Sequence, residues 1–265
     1  MSGGSRGIGL SIALRAARDG ANIALLAKTA EPHARLEGTI FTAAAQIEAA
    51  GGQALPIVGD VRDDDTVRAA VEQTVAQFGA IDVVVNNASA IDVSPSATIA
   101  MKRYDLMQDV NTRGTFLLSR VCVPHLREAA NPHVLTLSPP LSLDPKWYGG
   151  HLAYTLAKFG MSMCTLGMAA EYAPDGIAFN SLWPRTLIAT AAVQNLLGGD
   201  EAMARSRRPE FVADAAHDIL TRPARSTTGN FFIDDEVLAQ AGVSDLSGYA
   251  YVADADLQID LFLDG

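Results

Sequence analysis

The sequence predicts an α/β fold, a doubly wound parallel sheet covered by helices on both faces. Three observations predict it. Short apolar runs alternate with longer stretches of helical period along the whole chain. The runs are β-branched or leucine-rich and nearly free of charge, as strands buried on both faces require. Glycines fall just past the helical stretches, where a left-handed cap costs glycine least. With 265 residues, 49% hydrophobic and 19% charged, the chain can bury a full core. No fixed repeat or low-complexity linker marks a boundary, so residues 1–265 read as one domain.

In chain order, the glycine-rich segment SGGSRGIG (2–9) opens a helix over about 8–19, and Gly20 ends it. The strand NIALLA (22–27) follows, then a helix over 42–50 closed by Gly51 and Gly52, the strand ALPIV (54–58), and a helix over 64–78 closed by Gly79. IDVVV (81–85) is the next strand, before a long helical stretch, 102–129, with an internal irregularity. HVLTL (133–137), a helix over 153–173, IAFNSL (177–182), a helix over 209–221 and NFFI (230–233) complete the alternation. In the tail DLQIDLFLD (256–264), Leu257, Ile259, Leu261 and Leu263 alternate with Gln258, Asp260 and Phe262. That pattern predicts an extended segment that covers this subunit or docks on a neighbour.

A phosphate-binding turn normally joins a buried strand to a helix, yet only Met1 stands ahead of Ser2 and Gly3. The expectation is that upstream residues supply a first strand. Without them the sheet lacks its middle and exposes two unpaired edges, with weak cofactor binding and low stability.

The formal net charge of -10 argues against a sequence-independent grip on nucleic acid or an anionic membrane. The one basic cluster, RSRRP (205–209), reads as a solvated helix start. No apolar run reaches about 18 residues, so a membrane span is not supported. Cys122 and Cys164 lie in separate apolar segments, which fits packed thiols in a reducing compartment and a cytoplasmic location. His33, His125, His133, His151 and His217 are scattered, so no metal site is read.

The chemistry concentrates in five segments. In SGGSRGIG, Gly3, Gly7 and Gly9 let the backbone approach a pyrophosphate while the helix start offers N–H donors, although such turns also occur bare. NIALLA is followed by Lys28 and Thr29, not by an acidic residue. Lys28, together with Arg6, can pair with a 2′-phosphate, which favours NADP(H) over NAD. In GDV (59–61), Asp60 stands at a strand end as an acceptor for an adenine amino group or as a turn residue. NNAS (86–89) sits where ligands bind in such sheets, and its amides either meet a ligand or tie strand ends together. In YTLAK (154–158), Tyr154 and Lys158 share one helix face. An adjacent ammonium lowers a phenol's pKa, so Tyr154 can exchange a proton with a substrate oxygen.

Together these segments resemble the short-chain dehydrogenase/reductase family over essentially the whole chain. The resemblance implies a Rossmann-type fold. Hydride would pass between NADP(H) and a carbonyl carbon while Tyr154 exchanges the oxygen's proton. Lys158 would hold the nicotinamide ribose and bias that proton. The cofactor contacts it implies are Gly3, Ser5, Arg6, Gly7, Ile8, Gly9, Lys28, Asp60, Val61, Asn87, Ala88, Tyr154, Lys158, Pro184 and Ile188. Asn111, at the irregularity in VNTRGTF (110–116), matches the family's helix-kink asparagine. The catalytic serine departs from the pattern: Ser138 ends its strand in LSPP, sixteen residues before Tyr154, and Ser142 lies twelve before it. Ser138 is favoured and Ser142 is the runner-up. In LWPRT (182–186), Arg185 replaces a usual glycine and either meets an anionic substrate or is solvated. Thr190 stands near the expected phosphates. Trp147, Tyr148, Leu152 and Trp183 suggest an apolar carbonyl or alcohol substrate. The family also implies a homodimer or homotetramer formed through 102–129 and 153–173, with Gly160, Ala169 and Ala170 permitting close packing. An enoyl thioester reductase and a non-catalytic nucleotide-binding scaffold are the alternatives.

Overall fold

The computed structural model describes residues 1–32 and 36–264; His33 and its two successors in AKTAEPHARLEGTI lie outside the described residues. Six strands form parallel pairs: β1 (Asn22–Ala27), β2 (Gln53–Val58), β3 (Val83–Asn86), β4 (His133–Thr136), β5 (Ala178–Trp183) and β6 (Phe231–Ile233). They lie in the order β2-β1 and β3-β4-β5-β6. Each coincides, to within two residues, with an apolar run of the sequence. Period two divides the residues between the faces. Val84 and Val134 pack with helices α3 (Asp64–Phe78), α5 (Gly114–Leu126) and α6 (Leu152–Glu171). Val85, Leu135 and Leu182 pack against α1 (Gly7–Ala17) and α9 (Glu210–Thr221) on the other side. Helix α2 (Ile40–Ala49) packs on β1 and the edge strand β2.

The helical stretch over 102–129, expected with an internal irregularity, is three pieces. Helix α4 (Met101–Met107) runs into a π-helical turn, Gln108–Arg113, before α5 begins. Short helices α7 (Ala191–Leu196), α8 (Gly199–Ala204) and α10 (Asp234–Gln240) were not expected, being too brief to show a helical period. Cys122 is buried and unpaired, and burial pushes its thiol up to about 12.

Between β1 and β3, the backbone of Met1–Gly3 serves as the centre of the sheet. Ser2 bridges Leu26 on one side and Asn86 on the other. Ser2 N donates to Val85 O (3.0 Å), Gly3 N to Leu26 O (2.9 Å) and Leu26 N to Met1 O (2.9 Å). Met1–Gly3 thus occupies the central position of the sheet, beneath the glycine turn. Beyond it, the facing halves of β1 and β3 border an apolar cavity of about 430 Å³, lined by Ile23, Ala24, Val83, Val84, Ile12 and Val71 among others.

The tail lies on this chain. Leu187 N donates to Gln258 O, Gln258 N to Arg205 O and Asp260 N to Arg185 O, and Ile259 forms an antiparallel bridge with Thr186. Its buried anchor is Phe262, not the leucines of the alternation, because Phe262 adopts φ 73° and the alternation breaks there. Burying such a side chain contributes about 1.5–3 kcal/mol.

Candidate active site

The carboxyl ends of the central strands are in register: Asn86 pairs with Thr136, and Thr136 with Ser181. Above this edge opens a cavity of about 800 Å³. It is bordered by the glycine turn at one side and by α6 and the tail at the other.

The turn has backbone conformations that favour glycine at Gly3 (φ 67°) and Gly7 (φ 58°). At Gly9 a Cβ would collide with Gly3 O and the Asn87 amide, so the helix can approach the turn only without a side chain there. Gly3, Ser5, Arg6, Gly7 and Ile8 line the cavity. Gly9 does not line it and acts by letting α1 close on the loop. The turn therefore fits a pyrophosphate against the amino end of α1, where N–H groups and the helix dipole favour negative charge.

Lys28, Asp60, Val61, Asn87 and Ala88 line the same cavity. Asp60 accepts from Arg62 Nη2 (2.6 Å) and lies 3.3 Å from Lys28 Nζ. The Arg62 hydrogen bonds, acting against partial burial, hold its carboxyl down to about 2. Arg6 borders the cavity but spends its guanidinium on the carbonyls of Glu37 and Gly38. Of the two amides in NNAS, Asn86 ties β3 to α5 and β4 through Ser119 and Thr136. Asn87 Nδ2 holds the turn by donating to Ser2 O and Gly3 O.

At the π-helical turn, the buried Asn111 side chain accepts from Ala90 N (2.7 Å) and donates to Ala90 O (3.0 Å), fixing the loop after β3. Asn111 does not line the cavity. Tyr154 and Lys158 do, and both are buried on one face of α6. Lys158 Nζ donates to Leu137 O (2.8 Å) and sits 5.1 Å above the Trp183 ring. Burial lowers its ammonium to about 7, opposed by the charge of Asp260. Burial raises the Tyr154 phenol above its ordinary value, and Asp260 adds to that rise.

Neither candidate serine reaches the cavity. Ser138 is fully buried, with its Oγ 2.9 Å from Ser181 Oγ, which in turn donates to Thr165 of α6. Ser142 caps a turn by accepting from Asp144 N. Pro184, Ile188 and Thr190 line the cavity as expected. Arg185 does not: it pairs with Asp235 (3.0 Å) and Glu236 on α10, so it neither meets a substrate nor stands free in solvent. Asp260 and Leu261 complete the lining. An acidic residue between apolar neighbours in the tail was the signal for Asp260, and sequence reasoning assigned it no role.

The family model for short chain dehydrogenases matches residues 1–199. The chain belongs to the short-chain dehydrogenase family. It is similar to hydroxysteroid dehydrogenase-like protein 2 of Xenopus laevis, 54% identical over all of this chain and 63% of that protein. The human protein of the same name is 51% identical over 62% of its length. The chain thus spans less than two thirds of the curated relatives it matches. Among solved structures, a putative dehydrogenase from Xanthomonas campestris is 58% identical, with a TM-score of 0.97, covering 100% of this chain and 96% of that one. That family is one of oxidoreductases that bind nicotinamide cofactors. No helix of the described residues is long and apolar enough to cross a membrane, and no metal-binding cluster occurs among them.

Proposed function

We propose that the protein is an NADP(H)-dependent reductase that interconverts an apolar ketone or aldehyde with its alcohol. The observation that carries this reading is the buried Tyr154–Lys158 pair on one face of α6, opening into the same cavity as the glycine turn. The turn and Ile8 would hold the pyrophosphate, Lys28 and Asp60 the adenosine end, and Pro184 and Ile188 the nicotinamide end. NADP(H) supplies the hydride. Tyr154, whose phenol burial raises above its ordinary value, would hand its proton to the carbonyl oxygen in reduction and take it back in oxidation. Lys158 offers an ammonium beside it. Ile91, Leu106, Leu187 and Leu261 make the wall apolar. Two free, unpaired thiols fit a cytoplasmic setting.

The fully buried Ser138 favours a second reading, a nucleotide-binding scaffold without hydride transfer, since the site then has no hydroxyl from that strand to polarise a carbonyl. Oxidation of NADPH and of NADH against a panel of apolar ketones, aldehydes and enoyl thioesters tests both. Turnover on a ketone, with NADPH preferred, is expected. Tyr154→Phe should lower it by about 10²–10⁴-fold while cofactor binding persists. Unchanged turnover in that variant defeats the mechanism, and cofactor binding without any turnover favours the scaffold.

A further inference from the structure

We propose that the folded-back tail sets which substrates the site accepts: Leu261 forms the end wall beside Tyr154, and Phe262 blocks an apolar extension behind it. The inference rests on the proposed carbonyl reduction and deepens it by naming the substrate class, compact apolar ketones and not long acyl chains. In that reading the dinucleotide fills the cavity from the glycine turn to Pro184. The substrate is left the end bounded by Ile91, Leu106, Tyr154, Trp183 and Leu261. The tail closes that end because its backbone is tied at successive points: Gln258 O accepts from Leu187 N, Asp260 N donates to Arg185 O (3.0 Å), and Leu261 O accepts from the Trp183 indole (2.8 Å). Beyond them Lys146 pairs with Asp264.

Phe262 is the wedge. Its φ of 73° is a left-handed conformation that a bulky side chain rarely takes and that persists only where the surroundings enforce it. The ring is buried, and its aromatic neighbours divide into two sets. Tyr154 (6.0 Å between ring centres) and Trp183 (5.9 Å) line the cavity, whereas Trp147 (6.1 Å), His151 (5.8 Å) and Phe159 (5.2 Å) do not. The ring therefore occupies the space between the reacting end of the cavity and a second group of aromatic residues. Tyr148, edge-on to Phe159 at 5.6 Å, belongs to that group. Trp147 and Tyr148, expected to surround a substrate, are thus screened from it by Phe262. Their polar neighbours are engaged: the Tyr148 hydroxyl donates to Ser142 O (2.8 Å), and His151 Nδ1 hydrogen-bonds with Thr155 Oγ1 (3.0 Å). Space freed by removing the ring is lined by aromatic faces, so it would take a hydrocarbon chain and not water.

Each methylene buried from water strengthens binding by about fourfold, so chain length reads the depth of the pocket. The 2-alkanones from 2-butanone to 2-dodecanone are titrated into the full chain with NADP+ present, where no ketone can be reduced. Binding is read from tryptophan emission, since the two tryptophans of the chain, Trp147 and Trp183, both flank Phe262. In the wild-type protein affinity should climb over the short members and then level off. Phe262→Ala should carry the climb about two methylenes further, raising the ratio of the 2-butanone to the 2-dodecanone dissociation constant by about tenfold. Phe262→Leu should raise it by about fourfold, and it stands in should the alanine variant fail to fold. An unchanged ratio in a folded variant, a wild-type affinity that climbs to 2-dodecanone without levelling, or no binding of any member overturns the proposal. If every ketone weakens equally, Phe262 is an anchor alone and the proposal falls likewise. The titration needs no turnover, so a chain that binds this series yet reduces none of it would defeat the proposed reaction and leave the wall standing.

Discussion

Single residues at the cofactor end carry opposite tasks. Lys28 is half-exposed and paired with Asp60, which also holds Arg62. A ligand phosphate would compete with Asp60 for the Lys28 ammonium. Because the exchange is one charge pair for another near the surface, its net gain is modest. Lys28→Ala should therefore reduce the preference for NADPH over NADH by about tenfold, read as the ratio of the two dissociation constants. Equal loss for both cofactors would separate Lys28 from the 2′-phosphate. Lys28, Asp60, Tyr154 and Lys158 were legible because strand ends and an i, i+4 spacing place side chains without tertiary detail. Ser138 was not. Its direction depends on strand phase after Thr136 and on the two following prolines, and the structure turns it into a hydroxyl chain with Ser181 and Thr165. Arg185 was likewise illegible, since α10, which supplies its partners, is too short to announce itself.

At the level of elements, small residues of α6 pack inside the chain. Gly160 faces inward: a Cβ there would collide with Thr112 of the π-helical turn, so this glycine lets α6 pack on the turn that carries Asn111. Ala169 belongs to the core. Both residues thus have packing partners within this chain. The outward face instead presents Phe116, Met163 and Leu166, each about half exposed or more. Exposed apolar side chains grouped on adjacent helices mark an association surface. The protein is expected to run as a dimer or tetramer in size-exclusion chromatography with light scattering, and Met163→Asp combined with Leu166→Asp should convert it to a smaller species. A wild-type monomer at working concentration would contradict this. The alternation of strands and helices was readable throughout because apolar period and glycine caps act locally. The π-helical turn was readable only as an irregularity, since one extra residue in a turn leaves the apolar pattern nearly unchanged.

Across the whole molecule, the tail is locked by Phe262 and its neighbouring hydrogen bonds, and its position over α6 could not be read from alternation alone.

Within the sheet, the short stretch Met1–Gly3 is the backbone seam that joins β1 to β3, and it runs straight into the glycine turn. The segment that would grip a pyrophosphate is therefore also hydrogen-bonded to two strands of the sheet. A ligand bound there holds the turn and both strands in their folded arrangement, so cofactor occupancy would steady the fold as well as supply a reagent for chemistry.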